Sequence, residues 1–180
     1  MAVSPFAELG VDPRIVRALL EEGYTIPTPI QSGVIQHVLA GRDTIACAQT
    51  GTGKTAAFVV PMLHRLEAPL AGRIRALILT PTRELAAQID ERISCYGQHM
   101  GLRHTVIYGG VSQHRQEVAL QRLPDILVAT PGRLMDLMAQ GFVKLDGVTT
   151  LVLDEADRML DMGFIRDVQR IVRQLPQKRQ

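Results

Sequence analysis

The chain has 180 residues and a formal net charge of only +2, which excludes a uniformly basic nucleic-acid-binding face. Hydrophobic residues make up 46% and charged residues 21%, a composition typical of a folded domain and not of a disordered chain. Cys47 and Cys95 are isolated and the N-terminus has no apolar leader, so we expect no disulfide framework, no zinc site, no membrane anchor and a cytoplasmic location.

Two helices are predicted before the first β-rich run. Each begins with a polar residue followed by proline and ends near a glycine: Asp12-Pro13 to Gly23, and Thr28-Pro29 to Gly41. Thr28 and Gln31 have the spacing of a capping box. We therefore predict a helical extension over residues 1–41 and a second domain over residues 42–180.

Five short β-rich runs follow, with helical stretches between them. They are DTIACA at 43–48, ALILT at 76–80, HTVIY at 104–108, DILVAT at 125–130 and TTLVLDE at 149–155. Most are apolar throughout, as expected of parallel strands covered by helices on both faces. The pattern predicts an α/β fold with an open, doubly wound sheet.

The first run leads into AQTGTGKT at residues 48–55, between a predicted strand and a predicted helix. Gly51 and Gly53 let the backbone curl so that N–H groups point at a polyphosphate, and the helix N-terminus adds partial positive charge. Lys54 would reach the β- and γ-phosphates, and the Thr55 hydroxyl would ligate Mg²⁺. Ala48 replaces the usual first glycine, and a plain glycine-rich turn is the alternative.

The last run, LVLDEAD, ends in carboxylates, which a parallel sheet delivers to the edge where ligands bind. We assign Asp154 to the metal and Glu155 to the attacking water. The alternative is that these acids, with Asp157, only favour the N-terminus of the next helix.

The acidic string at 154–157, together with the alanine-first loop, resembles the DEAD-box ATP-dependent RNA helicases of the bacterial type. Further strings similar to that family follow in its order: GYTIPTPIQ at 23–31, PTRELA at 81–86, Gly109-Gly110 and TPGR at 130–133. The resemblance implies the N-terminal RecA-like domain, a three-layer P-loop NTPase domain with a central, mostly parallel sheet over residues 42–180. It also implies ATP and Mg²⁺ as cofactors and a role for Asp157 in coupling between motifs and domains.

The resemblance implies that GYTIPTPIQ senses adenine. Gln31 would pair with the base through its amide, with Tyr24 nearby and Phe6 stacking on the ring. The alternatives are a capping role for Gln31, which is compatible with base pairing, and a hydrophobic anchor at Phe6. The implied nucleotide-binding set is Phe6, Tyr24, Gln31, Ala48, Thr50, Gly51, Thr52, Gly53, Lys54 and Thr55.

PTRELA, the glycine pair and TPGR resemble the family's contacts to a single RNA strand. The carriers would be Thr82, Arg83, Gly109, Gly110, Thr130, Gly132 and Arg133. Because such contacts address the sugar-phosphate backbone, binding should be independent of sequence. Read without the family, Thr82 and Thr130 would be plain N-caps.

The resemblance further implies a second RecA-like domain of the full-length chain, whose arginines face the γ-phosphate. We therefore expect these 180 residues alone to bind nucleotide but hydrolyse it poorly, since such an arginine is worth about 10³–10⁵ in rate. Three rivals stay open: a DNA helicase of the same superfamily, a P-loop kinase, and an RNA-binding module without nucleotide chemistry.

Overall fold

Helices and strands alternate along most of the chain in a computed structural model, which describes residues 4–49, 51–70 and 72–180. In chain order the elements are α1 (Pro5–Glu8), α2 (Pro13–Glu21), α3 (Pro29–Leu39), α4 (Lys54–Leu66), β1 (Ala76–Leu79), α5 (Arg83–Gly97), β2 (His104–Ile107), α6 (Gln113–Gln121), β3 (Ile126–Ala129), α7 (Pro131–Ala139), β4 (Thr150–Leu153), α8 (Ala156–Asp161) and α9 (Ile165–Arg173). Within those described ranges, no helix is long and apolar enough to span a bilayer.

The first of two compact units is helical and comprises Met1–Pro69, Glu91–Gly101 and Gln180. In it, α3 packs against α4, and α2 packs against both α1 and α4. The proline-initiated helices α2 and α3 confirm the two predicted from their polar and glycine boundaries. Asp12 caps α2, because its Oδ1 accepts a hydrogen bond from Arg14 N at 2.8 Å. The division at residues 41 and 42 stays a prediction.

The strand predicted at residues 43–48 is wrong for this structure. Residues 42–49 have no regular secondary structure, and Ile45 is 95% exposed. No hydrogen bond between backbone groups joins 43–48 to the rest of the described chain. An apolar, β-branched run becomes a strand only where a neighbouring strand completes its ladder, and none of the described strands pairs with this run.

The second unit comprises Leu70–Asp90 and Leu102–Arg179 and contains a parallel sheet. Its order, within the part of the chain described, is β2-β3-β1-β4, and every neighbouring pair is parallel. The other four predicted strands are thus confirmed. Because β1 and β3 are central and buried at every residue, they are apolar throughout.

One face of this sheet carries the main apolar core of the second unit. Leu77 and Leu79 of β1, Leu127 and Ala129 of β3 and Ile107 of β2 belong to it, together with buried residues of α7 and α9. Leu151 of β4 packs against the same cluster. Since successive side chains of a strand alternate between faces, the residue that follows each strand faces the other way.

Hydrogen bonds continue the ladder one residue beyond the strands at their carboxyl ends. Thr130 N donates to Ile107 O at 3.1 Å, Thr80 N to Ala129 O at 3.1 Å, and Asp154 N to Leu79 O at 2.9 Å. With Tyr108 these residues form one row across the sheet, in the order Tyr108, Thr130, Thr80, Asp154. We call this row the carboxyl rung.

Candidate functional site

The predicted site residues divide between the two units. The first unit holds Phe6, Tyr24, Gln31 and the described residues of the loop at 48–55, whereas Thr50 lies outside the described residues. The second unit holds Thr82, Arg83, Gly109, Gly110, Thr130, Gly132, Arg133, Asp154, Glu155 and Asp157.

The loop before α4 has the geometry of a curled, glycine-dependent turn. Gly51 and Gly53 have φ angles of +84° and +91°, and Gly53 is the N-cap of α4, which starts at Lys54. Lys54 Nζ donates to Ala48 O at 2.7 Å, so the ammonium group folds back across the loop. Thr52 Oγ1 donates to Gln49 O at 2.7 Å and tightens the same turn.

The Gly23–Gln31 segment is bonded directly to that loop. Thr28 Oγ1 donates to Thr52 O at 2.9 Å, and Gln31 Nε2 donates to Gly53 O at 3.2 Å. Gln31 Oε1 accepts from Thr28 N at 2.9 Å, which is the glutamine half of the predicted capping box. The amide is fully buried and both its ends have protein partners.

A side chain at position 53 is excluded by this arrangement. A Cβ on Gly53 would collide with Gln31 Nε2 and would also lie close to Thr28 Oγ1. Glycine is thus required twice, for its positive φ and for the close approach of the amide. Thr28, which the sequence suggested only as a helix cap, therefore also helps to fix the conformation of the loop through its hydrogen bond to Thr52 O.

The two aromatic candidates are held inside the first unit. Phe6 in α1 is fully buried, as a hydrophobic anchor would be, and its stacking on adenine stays a prediction. Tyr24 accepts a hydrogen bond from the Tyr96 hydroxyl at 3.0 Å, and the two rings meet edge to face with centroids 5.6 Å apart. Burial and this hydrogen bond raise the pKa of Tyr96 well above its ordinary value.

The acidic candidates follow β4 at the carboxyl edge of the sheet. The Asp154 carboxylate accepts from Glu155 N at 3.1 Å. Glu155 has φ +50° and ψ 49°, a left-handed conformation that costs a non-glycine residue about 1–2 kcal/mol. Its Oε2 accepts from Arg158 Nη1 at 3.1 Å. Asp157 is exposed on α8, and its Oδ1 accepts from the N–H of Arg158.

Backbone strain at an acid of this kind is typical of functional sites. Nothing in the sequence separates Glu155 from a relaxed N-cap acid, because acids are favoured at helix starts in either case. The left-handed backbone of Glu155 could therefore not be predicted from the sequence.

The candidate RNA contacts lie at the same edge, where β1, β2 and β3 end. Thr82 caps α5, since its Oγ1 accepts from Leu85 N at 3.3 Å. Thr130 is the N-cap residue of α7, yet its side chain makes no capping hydrogen bond. The plain-cap alternative therefore describes Thr82 and fails for Thr130.

The turn after β2 carries the glycine pair and is held from two sides. Gln116 Oε1 accepts from Tyr108 N at 3.0 Å, and Gln116 Nε2 donates to Tyr108 O at 3.1 Å. Arg133 Nη2 donates weakly to Val111 O at 3.4 Å. Gly110 has φ +80°, which only glycine adopts freely. Sequence reasoning missed Gln116, a polar residue that only its burial identifies.

Arginine side chains at this edge differ in their partners. Arg83 is exposed and pairs with its neighbour Glu84, which raises the pKa of the guanidinium. Arg133 Nη1 is buried without a hydrogen-bond partner among the described residues. Gly132, in the first turn of α7, has open space where a side chain would be. The edge thus offers arginines, backbone N–H groups and glycines to an anionic strand.

Comparison with known proteins identifies the family of the chain. Residues 28–180 match the model of the family described as DEAD/DEAH box helicase. The chain belongs to the DEAD/DEAH box helicase family. It is 46% identical over 175 residues to the ATP-dependent RNA helicase CshA of Limosilactobacillus reuteri, covering 97% of this chain and 35% of that protein.

Two further relatives agree. The ATP-dependent RNA helicase DeaD of Escherichia coli K12 is 47% identical over 176 residues, covering 97% of this chain and 28% of that helicase. The crystal structure of a DEAD box protein from the hyperthermophile Methanococcus jannaschii matches with a TM-score of 0.91 and 38% identity, over 100% of this chain and 49% of that one. The chain spans about a third of the length of the curated relatives it matches, and its parallel α/β fold is the RecA-like fold of a DEAD-box domain.

Proposed function

We propose that this DEAD-box chain is the ATP-binding and partial RNA-binding half of an ATP-dependent RNA helicase that locally unwinds RNA duplexes. The observation that carries the proposal is the family match over residues 28–180. The loop before α4 and the polar carboxyl edge of the sheet support it. A cytoplasmic location belongs to the same proposal, supported by free cysteines at 47 and 95.

ATP and Mg²⁺ are the cofactors of this proposal. Gly51 and Gly53 give the loop the curl that suits a polyphosphate, and Lys54 would exchange its bond to Ala48 O for the β- and γ-phosphates. Hard oxygen ligands suit Mg²⁺, and Thr55 and Asp154 would supply them. The metal, when bound, neutralises charge on the phosphates, while Glu155 would orient the attacking water.

Adenine recognition would require a change at Gln31. Its amide oxygen and nitrogen bond Thr28 N and Gly53 O, so pairing with the base would exchange at least one of those contacts. Such an exchange would link base recognition to the phosphate loop, because Gly53 lies inside the loop. Tyr24 would contribute to the nucleotide pocket, and Phe6 would act as an anchor.

RNA would lie along the carboxyl edge, contacting Thr82, Arg83, the glycine pair and the first turn of α7. These groups suit phosphates and sugars, so binding would be independent of base sequence. A second RecA-like domain, as the partner of this half, would supply the arginines that complete hydrolysis. These 180 residues alone would then bind Mg·ATP and turn it over slowly.

Calorimetry with Mg·ATP tests the nucleotide site. Lys54→Ala should weaken binding about 10–100-fold, because a charged hydrogen bond to phosphate is worth about 1.5–3 kcal/mol. Lys144→Ala is the matched control, since Lys144 is an exposed lysine outside the loop, and it should bind like the unaltered chain. Failure of the unaltered chain to bind Mg·ATP at millimolar concentration would contradict the proposal.

A DNA helicase remains the second candidate at the level of the substrate. Competition between RNA and DNA strands of equal sequence separates the two, because only RNA offers a 2′-hydroxyl. Stronger binding of RNA is expected, and equal binding would favour the DNA alternative.

A further inference from the structure

The carboxyl rung contains a buried hydroxyl that no described protein group satisfies. Thr80, the residue that follows β1, is 0% exposed, and its Oγ1 has no hydrogen-bond partner among the described residues. Leaving a hydroxyl unpaired inside a protein destabilises the fold, whereas valine would fill the same space without that penalty. A threonine in such a place indicates a use for the hydroxyl.

The sheet determines which group lies beside this hydroxyl. Leu79 pairs in register with Leu153, so the next pair across the two strands is Thr80 and Asp154. The backbones of neighbouring strands lie about 4.8 Å apart, so the two residues are direct neighbours. Leu77 of β1 and Leu151 of β4 face the core cluster. Thr80 and Asp154 each lie three residues further along their strands, and side chains alternate between faces, so both project to the opposite face of the sheet. A hydrogen bond of 2.9 Å from Asp154 N to Leu79 O continues the ladder and fixes the register of the two residues.

We propose that Thr80 is a positioning residue for Asp154. Its hydroxyl donates a hydrogen bond to the Asp154 carboxylate, directly or through one water, when Mg²⁺ is bound with nucleotide. The bond would hold the carboxylate in one orientation toward the metal that Asp154 is proposed to bind. This inference rests on the proposed function, since it assigns Asp154 to the metal.

Three substitutions separate the hydroxyl from the shape of the side chain. Thr80→Val removes only the hydroxyl, Thr80→Ser keeps it, and Thr80→Ala removes both the hydroxyl and the methyl group. Thr150→Val is the matched control, because Thr150 is a buried threonine at the opposite end of β4. The measured quantity is the affinity for a non-hydrolysable ATP analogue with Mg²⁺, divided by its affinity in EDTA.

Thr80→Val should lower that ratio about tenfold, the size typical of lost outer-shell support for a metal ligand, and leave the EDTA affinity unchanged. Its melting temperature should not fall, because the hydroxyl has no protein partner to lose. Thr80→Ser and Thr150→Val should keep the ratio. If the valine variant does not fold, the serine and alanine variants, which differ only in the hydroxyl, give the same comparison.

A ratio within twofold of the unaltered chain in both hydroxyl-free variants would overturn the role of Thr80. Absence of any Mg²⁺-dependent binding in the unaltered chain would instead overturn the proposed nucleotide site, and this inference with it. The two failures are therefore distinguishable.

Discussion

The two ends of the sheet in the second unit are constructed in opposite ways. At the amino ends, the fully buried Asp125 accepts from Leu70 N and Arg103 N at 3.0 Å and from Arg75 Nη2 at 2.9 Å. At the carboxyl ends, Thr80 has an unpaired hydroxyl among the described residues, and Glu155 has a left-handed backbone. The buried carboxylate at the amino end has several partners, whereas the described residues at the carboxyl end retain strain and an unpaired hydroxyl.

The difference indicates that the amino ends of the strands stabilise the fold and that the carboxyl ends are available for ligands. Ligands bind at the carboxyl ends of parallel strands, where binding groups must stay available, whereas nothing prevents the amino ends from being optimised for stability. The comparison predicts that substitution of Asp125 at the amino end lowers the free energy of unfolding, whereas relief of the left-handed backbone at Glu155 at the carboxyl end raises it.

The largest effect is expected from Asp125→Ala. Removing one partner of a buried ion pair destabilises by about 3–5 kcal/mol, because Arg75 and two backbone N–H groups lose their acceptor. Denaturation in urea measures the change, and Asp146→Ala, at an exposed aspartate, should fall within about 0.5 kcal/mol of the unaltered chain. Equal losses in the two variants would show that the amino end is not specially stabilised.

The same carboxylate gives the fold a dependence on acid. Burial alone would raise the pKa of Asp125, but the Leu70 and Arg103 N–H groups and the Arg75 guanidinium hold that pKa below its ordinary value. The unfolded chain, with a pKa of about 3.9 for aspartate, therefore binds the proton more readily. The stabilisation is present above about pH 4 and is lost as pH falls through the lower folded pKa.

Urea denaturation of the unaltered chain and of Asp125→Asn, compared from pH 7 to pH 3, measures this dependence. The stability difference between them should be constant near neutrality and should shrink in acid. A difference that grows as pH falls would contradict the lowered pKa.

The strands of the sheet could be predicted from the sequence, but the contacts that stabilise its two ends could not. The central strands β1 and β3 were predictable because burial at every residue leaves apolar runs. The role of Asp125 left no signal in the sequence, since its partners Leu70 and Arg75 are 55 and 50 residues away in the chain. The strand predicted at residues 43–48 was wrong because their local pattern favours a strand, whereas strand pairing depends on residues that are distant in the chain.

Site residues follow the same rule. The glycine-rich loop before α4 and the acidic string have fixed spacing along the chain, so their positions could be predicted. The bonds of Thr28 and Gln31 to the loop cross more than twenty residues, and the spacing revealed only their capping. The left-handed φ of Glu155 leaves no compositional signal, because the residue is not glycine.

Capping gives a smaller test at the carboxyl end. Thr82→Val should lower the free energy of unfolding by about 1 kcal/mol, since the hydroxyl caps α5. Thr130→Val should not incur that loss, because Thr130 makes no capping bond. Urea denaturation of both variants checks the pair. Equal losses would restore the plain-cap interpretation of Thr130 and remove it from the polar groups left available for a ligand.

The smallest effect, and the one of opposite sign, is expected from Glu155→Gly. Glycine adopts φ +50° without steric conflict, and the exposed pair with Arg158 contributes little, so the free energy of unfolding should rise by about 0.5–1 kcal/mol. Leu123→Gly is the matched control, because Leu123 has φ +53° in the turn after α6, away from the carboxyl rung. Denaturation should show a gain in both variants. A gain at 123 without one at 155 would mean that Glu155 is supported by contacts as completely as Asp125, and the contrast between the two ends of the sheet would not hold.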